Sequence, residues 1–151
     1  MTYFSYQASS ALPIIPLTIA QLPAWLKRQD VPTQAWVKNQ SYTAEVGTAL
    51  MIPSASGTIS RVIAGVGEAI DVWSLAHLPN LLPAGSYYID TKWKASMLAD
   101  VALGFALAQY QFGRYKTLRK KPITLQLPKS LNIADVELQR AAIQTVRDLI
   151  N

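Results

Sequence analysis

Apolar residues recur at helical spacing through one long stretch without proline, from Trp93 to Lys116. At about 1.5 Å per residue, a helix of this length spans roughly 36 Å, which is the width of a small domain. A helix that is apolar nearly all round is buried on more than one side, so we predict a central core helix. Asp100 interrupts the apolar run before about 18 consecutive apolar residues are reached, so no membrane span is predicted. The apolar stripe comprises Trp93, Met97, Val101, Phe105, Phe112 and Tyr115, and the other side is largely filled by Leu98, Ala102, Leu107 and Tyr110.

Shorter patterns on both sides of this helix predict alternating strands and helices. Tyr42–Pro53 and Thr58–Val66 are typical of strands, and the turn residues Ser54–Gly57 between them predict a hairpin. Thr18 and Gln21 have the spacing of a capping box, which predicts a helix over 19–29. The remaining predicted elements are a short helix from Pro32 through Val37, a short helix from Asp71 to His77, strands at Gly85–Ile89 and Ile123–Leu127, and a last helix from the capping residues Asn132 and Asp135 through Ile150.

The order of these elements predicts an α/β fold in which helices flank a mixed sheet. Pro13 and Pro16 restrict the residues before them, so residues 1–17 are predicted to form an irregular N-terminal arm or a short edge strand. The chain of 151 residues has the size of one domain and shows no internal repeat or linker, so 18–151 is predicted to be a single domain. The stripe of the last helix that is predicted to face the core comprises Val136, Ala142, Ile143, Val146 and Ile150.

Composition excludes several classes of protein. Half of the residues are hydrophobic, which is enough to build a core without covalent staples. The chain has no cysteine, so disulfide and thiolate chemistry are excluded. Its N-terminus, MTYFSYQASS, lacks the basic and continuous apolar regions of a signal peptide, so a cytoplasmic location is expected.

The net charge of +5 is concentrated in one basic segment, residues 114–121. This segment is a candidate contact surface with three interpretations. It can be a solvated helix end favoured by the helix dipole, or it can contact acidic residues of another domain or subunit. It can also bind nucleic acid phosphates, with Tyr110, Phe112 and Tyr115 as stacking rings. The first two interpretations together outweigh the third, because aromatic residues at helical spacing favour a core. The basic residues are Arg114, Lys116, Arg119, Lys120 and Lys121.

The sequence predicts no catalytic and no metal-binding residue. His77 is the only histidine, whereas zinc sites draw several ligands from histidine, cysteine and carboxylates. The close acidic pairs, Glu68 with Asp71 and Asp135 with Glu137, lie near predicted helix starts, where the helix dipole alone favours them.

A Gly-Val-Gly turn at 65–67 follows a predicted strand and precedes a predicted helix. Backbone amides in such a position can cradle a phosphate. The third glycine of a dinucleotide fingerprint is absent, so a tight strand-to-helix turn is the favoured interpretation.

Two stretches resemble the leucyl aminopeptidase family, peptidase family M17. Residues 102–116, ALGFALAQYQFGRYK, are similar to a family helix that reads roughly G-x-x-L-x-x-Y-x-F-x-x-Y-K. Residues 147–151, RDLIN, resemble the A-R-D-L-x-N that closes the N-terminal domain of that family. The preceding order also fits, with a Trp-containing helix, a strand from Gly47 to Pro53 and a strand from Val62 to Gly67.

The resemblance implies a macrodomain-like, non-catalytic N-terminal domain that serves packing and oligomer assembly. The parent enzyme would be a metallo-aminopeptidase, a hexamer that releases N-terminal amino acids from peptides. Its two divalent metal ions, Mn or Zn, and its peptide site would lie in a C-terminal catalytic domain outside this chain. The alternatives are a nucleic-acid-binding module that uses residues 114–121 and a macrodomain-like nucleotide binder.

Overall fold

Strands and helices alternate along the chain, and the strands join into one mixed sheet. A computed structural model describes residues 3–6, 10–109 and 123–150. Within them the strands are β1 (Phe4–Tyr6), β2 (Leu12–Leu17), β3 (Ala49–Pro53), β4 (Ile59–Gly65), β5 (Gly85–Ile89) and β6 (Ile123–Leu127). The helices are α1 (Leu22–Lys27), α2 (Val31–Asn39), α3 (Ala95–Gln109) and α4 (Ile133–Ile150). The spatial order is β1-β6-β5-β2-β4-β3, and only the β3–β4 pair is antiparallel. The predicted α/β fold with a mixed sheet is confirmed.

The predicted irregular arm or edge strand is wrong for β2, which lies inside the sheet between β5 and β4. Ile14 is the register partner of both Val62 and Ile89, and it is fully buried. The two prolines of β2 remove backbone donors, but their fixed φ suits an extended chain. Ile14 and Leu17 pack into separate cores, so burial on both faces offsets the lost hydrogen bonds.

Side chains that alternate along the strands divide between two layers of helix. Val62 and Ala64 of β4 belong to the core that contains Phe105 of α3. Ile63, between them, belongs to the second core, which contains Trp25 of α1. The sheet is therefore covered by α3 and α4 on one face and by α1 and α2 on the other.

The hydrogen bonds of the predicted capping box and the predicted turn are present, although α1 covers only Leu22–Lys27 of the predicted 19–29. The Thr18 amide donates to Gln21 Oε1 at 3.0 Å, and the Gln21 amide donates to Thr18 Oγ1 at 3.2 Å. The β3–β4 hairpin closes through Gly57 in the left-handed region, with φ of +87°. At the outer edge of the sheet, the Trp36 indole of α2 donates to the Met51 carbonyl of β3 at 3.0 Å.

Helix α3 is buried all round its second half, as predicted for a central core helix. Every residue from Val101 to Leu107 is buried, and at Gly104 the helix touches a neighbouring loop. A Cβ atom on Gly104 would lie 1.5 Å from the Val72 carbonyl oxygen, so only glycine fits there. None of the helices in the described ranges is long and apolar enough to cross a membrane. The predicted continuation to Lys116 lies outside the described residues.

The predicted helix from Asp71 to His77 is wrong, because this stretch forms turns that lead into a 3-10 helix at Leu78–Asn80. Asp71 Oδ1 accepts from the Trp73 amide at 2.9 Å, and Ser74 Oγ accepts from the Asp71 amide at 2.9 Å. Such side-chain bonds offer the backbone an alternative to helical hydrogen bonds.

His77 ties this turn region to the sheet. Its Nε2 donates to the Thr48 carbonyl at 3.1 Å, just before β3 begins. Half-burial of the imidazole lowers the pKa of His77 below its ordinary value of 6.5, and the bond to Thr48 only partly opposes this effect.

The predicted inner stripe of α4 is only partly correct. Val136 is buried and Ile143 packs partly against the core, but Ala142, Val146 and Ile150 are exposed. The physical reason is that α4 packs against the rest of the described chain mainly through its first part, where Val136 is its one buried residue.

We expect Gly104→Ala to lower the free energy of unfolding by about 3 kcal/mol, because the new methyl group overlaps backbone that cannot move freely. Urea denaturation followed by circular dichroism measures this. Gly67→Ala is the matched control, because its Cβ would meet only the Val46 side chain at 3.7 Å, so a change within about 0.5 kcal/mol is expected. Equal effects of the two variants would contradict the close approach of α3 to Val72.

We expect the free energy of unfolding to fall as the pH drops below 6.5, the ordinary pKa of His77. Below this pH the imidazole is protonated in the unfolded chain but still neutral in the folded chain, so a lower pH favours unfolding. The loss of stability continues until the pH reaches the lowered folded-state pKa of His77, and then it levels off. Asp30 has its pKa lowered from 3.8, so it titrates in a separate, more acidic window. Urea titrations at several pH values should show this slope in the parent chain and not in His77→Gln, whose amide can still donate to Thr48. The same slope in both chains would contradict the assignment.

Candidate functional site

The described residues contain no ready-made catalytic metal centre. Among 3–6, 10–109 and 123–150, no three histidine, cysteine or acidic side chains are placed to hold a metal ion. Three of the side chains considered from the sequence have structural partners. His77 bonds to Thr48, Asp71 caps its own turn, and Glu137 forms an ion pair with Arg140 at 2.7 Å.

The candidate basic contact surface lies wholly outside the described residues, within 110–122. The same holds for the three aromatic rings that were considered as stacking platforms. Both the subunit-contact and the nucleic-acid interpretations of this segment therefore remain predictions from the sequence. The residues concerned are Arg114, Lys116, Arg119, Lys120 and Lys121, with Tyr110, Phe112 and Tyr115.

The Gly-Val-Gly turn at 65–67 packs against the protein rather than opening towards a phosphate. The Gly65 amide donates to the Thr48 carbonyl at 2.8 Å, and the Val66 amide donates to the Leu17 carbonyl at 3.0 Å. A Cβ on Gly65 would lie 1.9 Å from the Glu45 carbonyl oxygen. Two of the three backbone amides are therefore already hydrogen-bonded within the fold. The close approach of the Glu45 carbonyl explains why residue 65 is a glycine.

A cavity of about 230 Å³ lies at the carboxyl ends of β5 and β6, the place where open α/β sheets commonly bind ligands. Asp90 is the one charged residue in its wall, and the Asp90 amide already donates to the Ile14 carbonyl at 2.8 Å. The cavity is smaller than the roughly 300–1,000 Å³ of typical ligand pockets. We therefore assign no function to it.

A larger cavity of about 690 Å³ lies between the start of α2 and the β3–β4 hairpin, and we call it the Arg61 cavity. Its volume falls within the usual range for small-molecule sites. The polar part of its wall is formed by Asp30, Thr33, Ser54, Ser60 and Arg61. The apolar part includes Pro32, Trp36, Ile52 and Pro53.

The guanidinium of Arg61 is held by neutral groups. Nη1 donates to Gln29 Oε1 at 2.8 Å, and Nη2 donates to Thr33 Oγ1 at 2.6 Å. The guanidinium carbon lies 5.6 Å from the centre of the Trp25 ring, within the range of cation–π attraction. Nε is buried and has no hydrogen-bond partner within the described residues.

Asp30 brings a negative charge to the same cavity. It caps α2, where its Oδ1 accepts from the Thr33 amide at 3.1 Å. Hydrogen bonds from Thr33 are the main cause that lowers the pKa of Asp30, and the nearby charge of Arg61 adds to it. The carboxylate is therefore ionised at neutral pH.

Reasoning from the sequence did not single out this pair. Asp30 and Arg61 are far apart in the chain, and the fold brings them together by returning β4 alongside α2. The available signals are weak ones. Asp30 stands three residues before Thr33 in an N-cap pattern, and Arg61 is the one charge in β4, which reads ISRVIAG.

Comparison with solved structures shows several matches to aminopeptidase chains and to a bottromycin maturation enzyme. A crystal structure of the cytosol aminopeptidase from Coxiella burnetii is 30% identical, has a TM-score of 0.90, and is matched over 98% of this chain and 33% of that one. The bottromycin maturation enzyme BotP in complex with Mn is 18% identical, with a TM-score of 0.64 over 95% of this chain and 32% of that chain. A tomato leucine aminopeptidase mutant is 10% identical, with a TM-score of 0.57 over 93% of this chain and 35% of that chain. The last two likenesses show the fold alone.

The chain thus spans about one third of the length of the structures that it matches. No curated protein sequence matches it. The family model for the M17 aminopeptidase N-terminal domain matches residues 12–128, from the start of β2 to just beyond β6. This match covers more than half of the chain and confirms the resemblance seen in residues 102–116. The chain belongs to the family of M17 aminopeptidase N-terminal domains.

Proposed function

We propose that this chain is the non-catalytic N-terminal domain of a leucyl aminopeptidase, which releases N-terminal amino acids from peptides. The observation that carries the proposal is the likeness to the Coxiella burnetii cytosol aminopeptidase, with a TM-score of 0.90 over 98% of this chain. That likeness uses 33% of the aminopeptidase chain. The remaining part of such an enzyme would supply the catalytic domain and the peptide site.

The chemistry of the proposed parent enzyme requires two divalent metal ions, Mn or Zn, in that catalytic domain. Such a pair activates a water molecule and polarises the scissile carbonyl. The BotP relative is a Mn complex, which supports this metal class. A cytoplasmic location is part of the same proposal, and the description of the first relative as a cytosol aminopeptidase supports it.

For the domain itself we propose a packing role, with α4 as the contact surface. Its exposed apolar side chains recur at helical spacing, so they lie along one side of the helix. Apolar patches of this kind mark interaction sites. The exposed fractions are 71% for Leu138, 54% for Val146, 82% for Leu149 and 78% for Ile150.

The occupant that we propose for this α4 surface is the catalytic domain of the same polypeptide. The matched aminopeptidase chain is about three times as long as this one, so such an enzyme carries further polypeptide that would cover this surface. Burial of one leucine side chain there would contribute roughly 2 kcal/mol. A hexameric assembly of the parent enzyme belongs to the proposal as well and rests on the family resemblance.

We expect the 151-residue chain alone to show no hydrolysis of L-leucine p-nitroanilide with Mn²⁺ or Zn²⁺. The complete polypeptide encoded by its gene should hydrolyse this substrate, and a chelator should abolish the reaction, because the metal ions polarise the carbonyl. Absorbance of the released nitroaniline measures both. Turnover by the chain alone, or an inactive complete polypeptide, would refute the proposal.

We expect Leu138→Lys and Leu149→Lys to destabilise the complete enzyme by roughly 2 kcal/mol each, because each removes a leucine from the proposed interface. In the 151-residue chain the same changes should stay within about 0.5 kcal/mol, because both side chains are exposed there. Differential scanning calorimetry of both proteins measures this.

The matched control is Ile19→Lys, because Ile19 is 57% exposed and lies next to α1 on the other face of the sheet. It should have little effect in either protein. Leucine variants that behave alike in the two proteins would rule out α4 as the contact surface.

A further inference from the structure

Arg61 is a half-buried cation whose described partners are all neutral. The one ion pair among the described residues joins Arg140 to Glu137, and no carboxylate in those residues lies within 4.0 Å of Arg61. Gln29 and Thr33 take two of its five N–H donors. A partly buried cation with no carboxylate in direct contact is costly, and a carboxylate ligand would supply that contact through strong, charge-assisted hydrogen bonds.

Thr33 fixes the positions of both charges in the Arg61 cavity. Its amide donates to Asp30 Oδ1 at 3.1 Å, and its hydroxyl accepts from Arg61 Nη2 at 2.6 Å. Thr33 is itself buried, with 4% of its surface exposed. Both charged groups therefore line the same cavity at positions fixed by one buried residue, without forming an ion pair with each other, which limits the entropy cost of binding.

The ionised Asp30 argues against a simple anion as the ligand. A phosphate dianion drawn to Arg61 would be repelled by this carboxylate, which already satisfies the amide of Thr33 at the start of α2. A ligand with both signs of charge meets no such repulsion. The accessible apolar part of the wall, with Pro32, Trp36 and Pro53, favours an uncharged, hydrophobic body beside the two charged groups.

We propose that the Arg61 cavity binds a small zwitterion with an apolar body, such as a free apolar amino acid. The ligand carboxylate contacts Arg61, the ammonium contacts Asp30, and the side chain packs on Pro32 and Trp36. This site is separate from the α4 surface and does not depend on the proposed peptidase function. The proposed site gives a binding role to residues that have no role in the peptidase proposal.

The probe for this proposal is L-leucine, titrated into the ¹⁵N-labelled chain at up to millimolar concentration. The reporters are the Thr33 amide and the Trp36 indole N–H, which donates to the Met51 carbonyl beside the cavity. Saturable shifts of both resonances are expected. N-acetyl-L-leucine, which lacks the ammonium, and L-leucinamide, which lacks the carboxylate, should each bind at least about tenfold more weakly. Phosphate should not bind.

Asp30→Asn and Arg61→Gln test the two charges separately. Asparagine can still cap α2, so Asp30→Asn removes the charge and keeps the helix start. Both variants should bind L-leucine at least about tenfold more weakly. The matched control is Arg140→Gln, because Arg140 also lies over an aromatic ring, Tyr3 at 4.8 Å, but belongs to α4. It should bind as the parent chain does.

Several results would overturn the proposal. These are the absence of saturable shifts with L-leucine, equal binding of L-leucinamide or phosphate, and unchanged binding by Asp30→Asn. If Arg61→Gln does not fold, Arg61→Lys replaces it, because lysine keeps the charge but loses the planar fork that matches a carboxylate. Unchanged binding by Arg61→Lys together with unchanged binding by Asp30→Asn would equally refute the site.

Discussion

The packing of α3 against the sheet is the interaction on which the rest of the structure depends. From Val101 to Leu107 the helix is buried on all sides, and Gly104 lets it touch the backbone at Val72. A helix in this position fixes the loop before β5 on one side and supports α4 on the other. Because its buried half is almost entirely apolar, this helix stabilises the fold through packing rather than through polar contacts.

The sequence predicted those elements whose signals are local. Helical spacing predicts α3, and turn residues predict the β3–β4 hairpin. The spacing of Thr18 and Gln21 predicts a capping box, and both of its hydrogen bonds are present in the structure. In each case the residues that carry the signal also make the contact. Local patterns therefore suffice for them.

The sequence misled where a distant contact overrides a local preference. Two prolines suggested an irregular arm, but the burial of Ile14 and Leu17 on opposite faces makes β2 an interior strand. Helical periodicity predicts an apolar stripe on α4, but it does not distinguish a face that packs within the domain from a face that is exposed on its surface. The Arg61 cavity was missed for a related reason, because Asp30 and Arg61 meet only after β4 has returned beside α2.

The outer edge of the sheet has a consequence for how this domain can associate. β3 is one of the two edge strands, its Met51 carbonyl accepts from the Trp36 indole, and its last residue, Pro53, has no N–H to donate. An incoming strand would find an interrupted row of donors and acceptors, so extension of the sheet from this side is disfavoured. Association at this border would therefore use side-chain contacts rather than strand pairing, which protects the protein there against the uncontrolled stacking that leads to fibres.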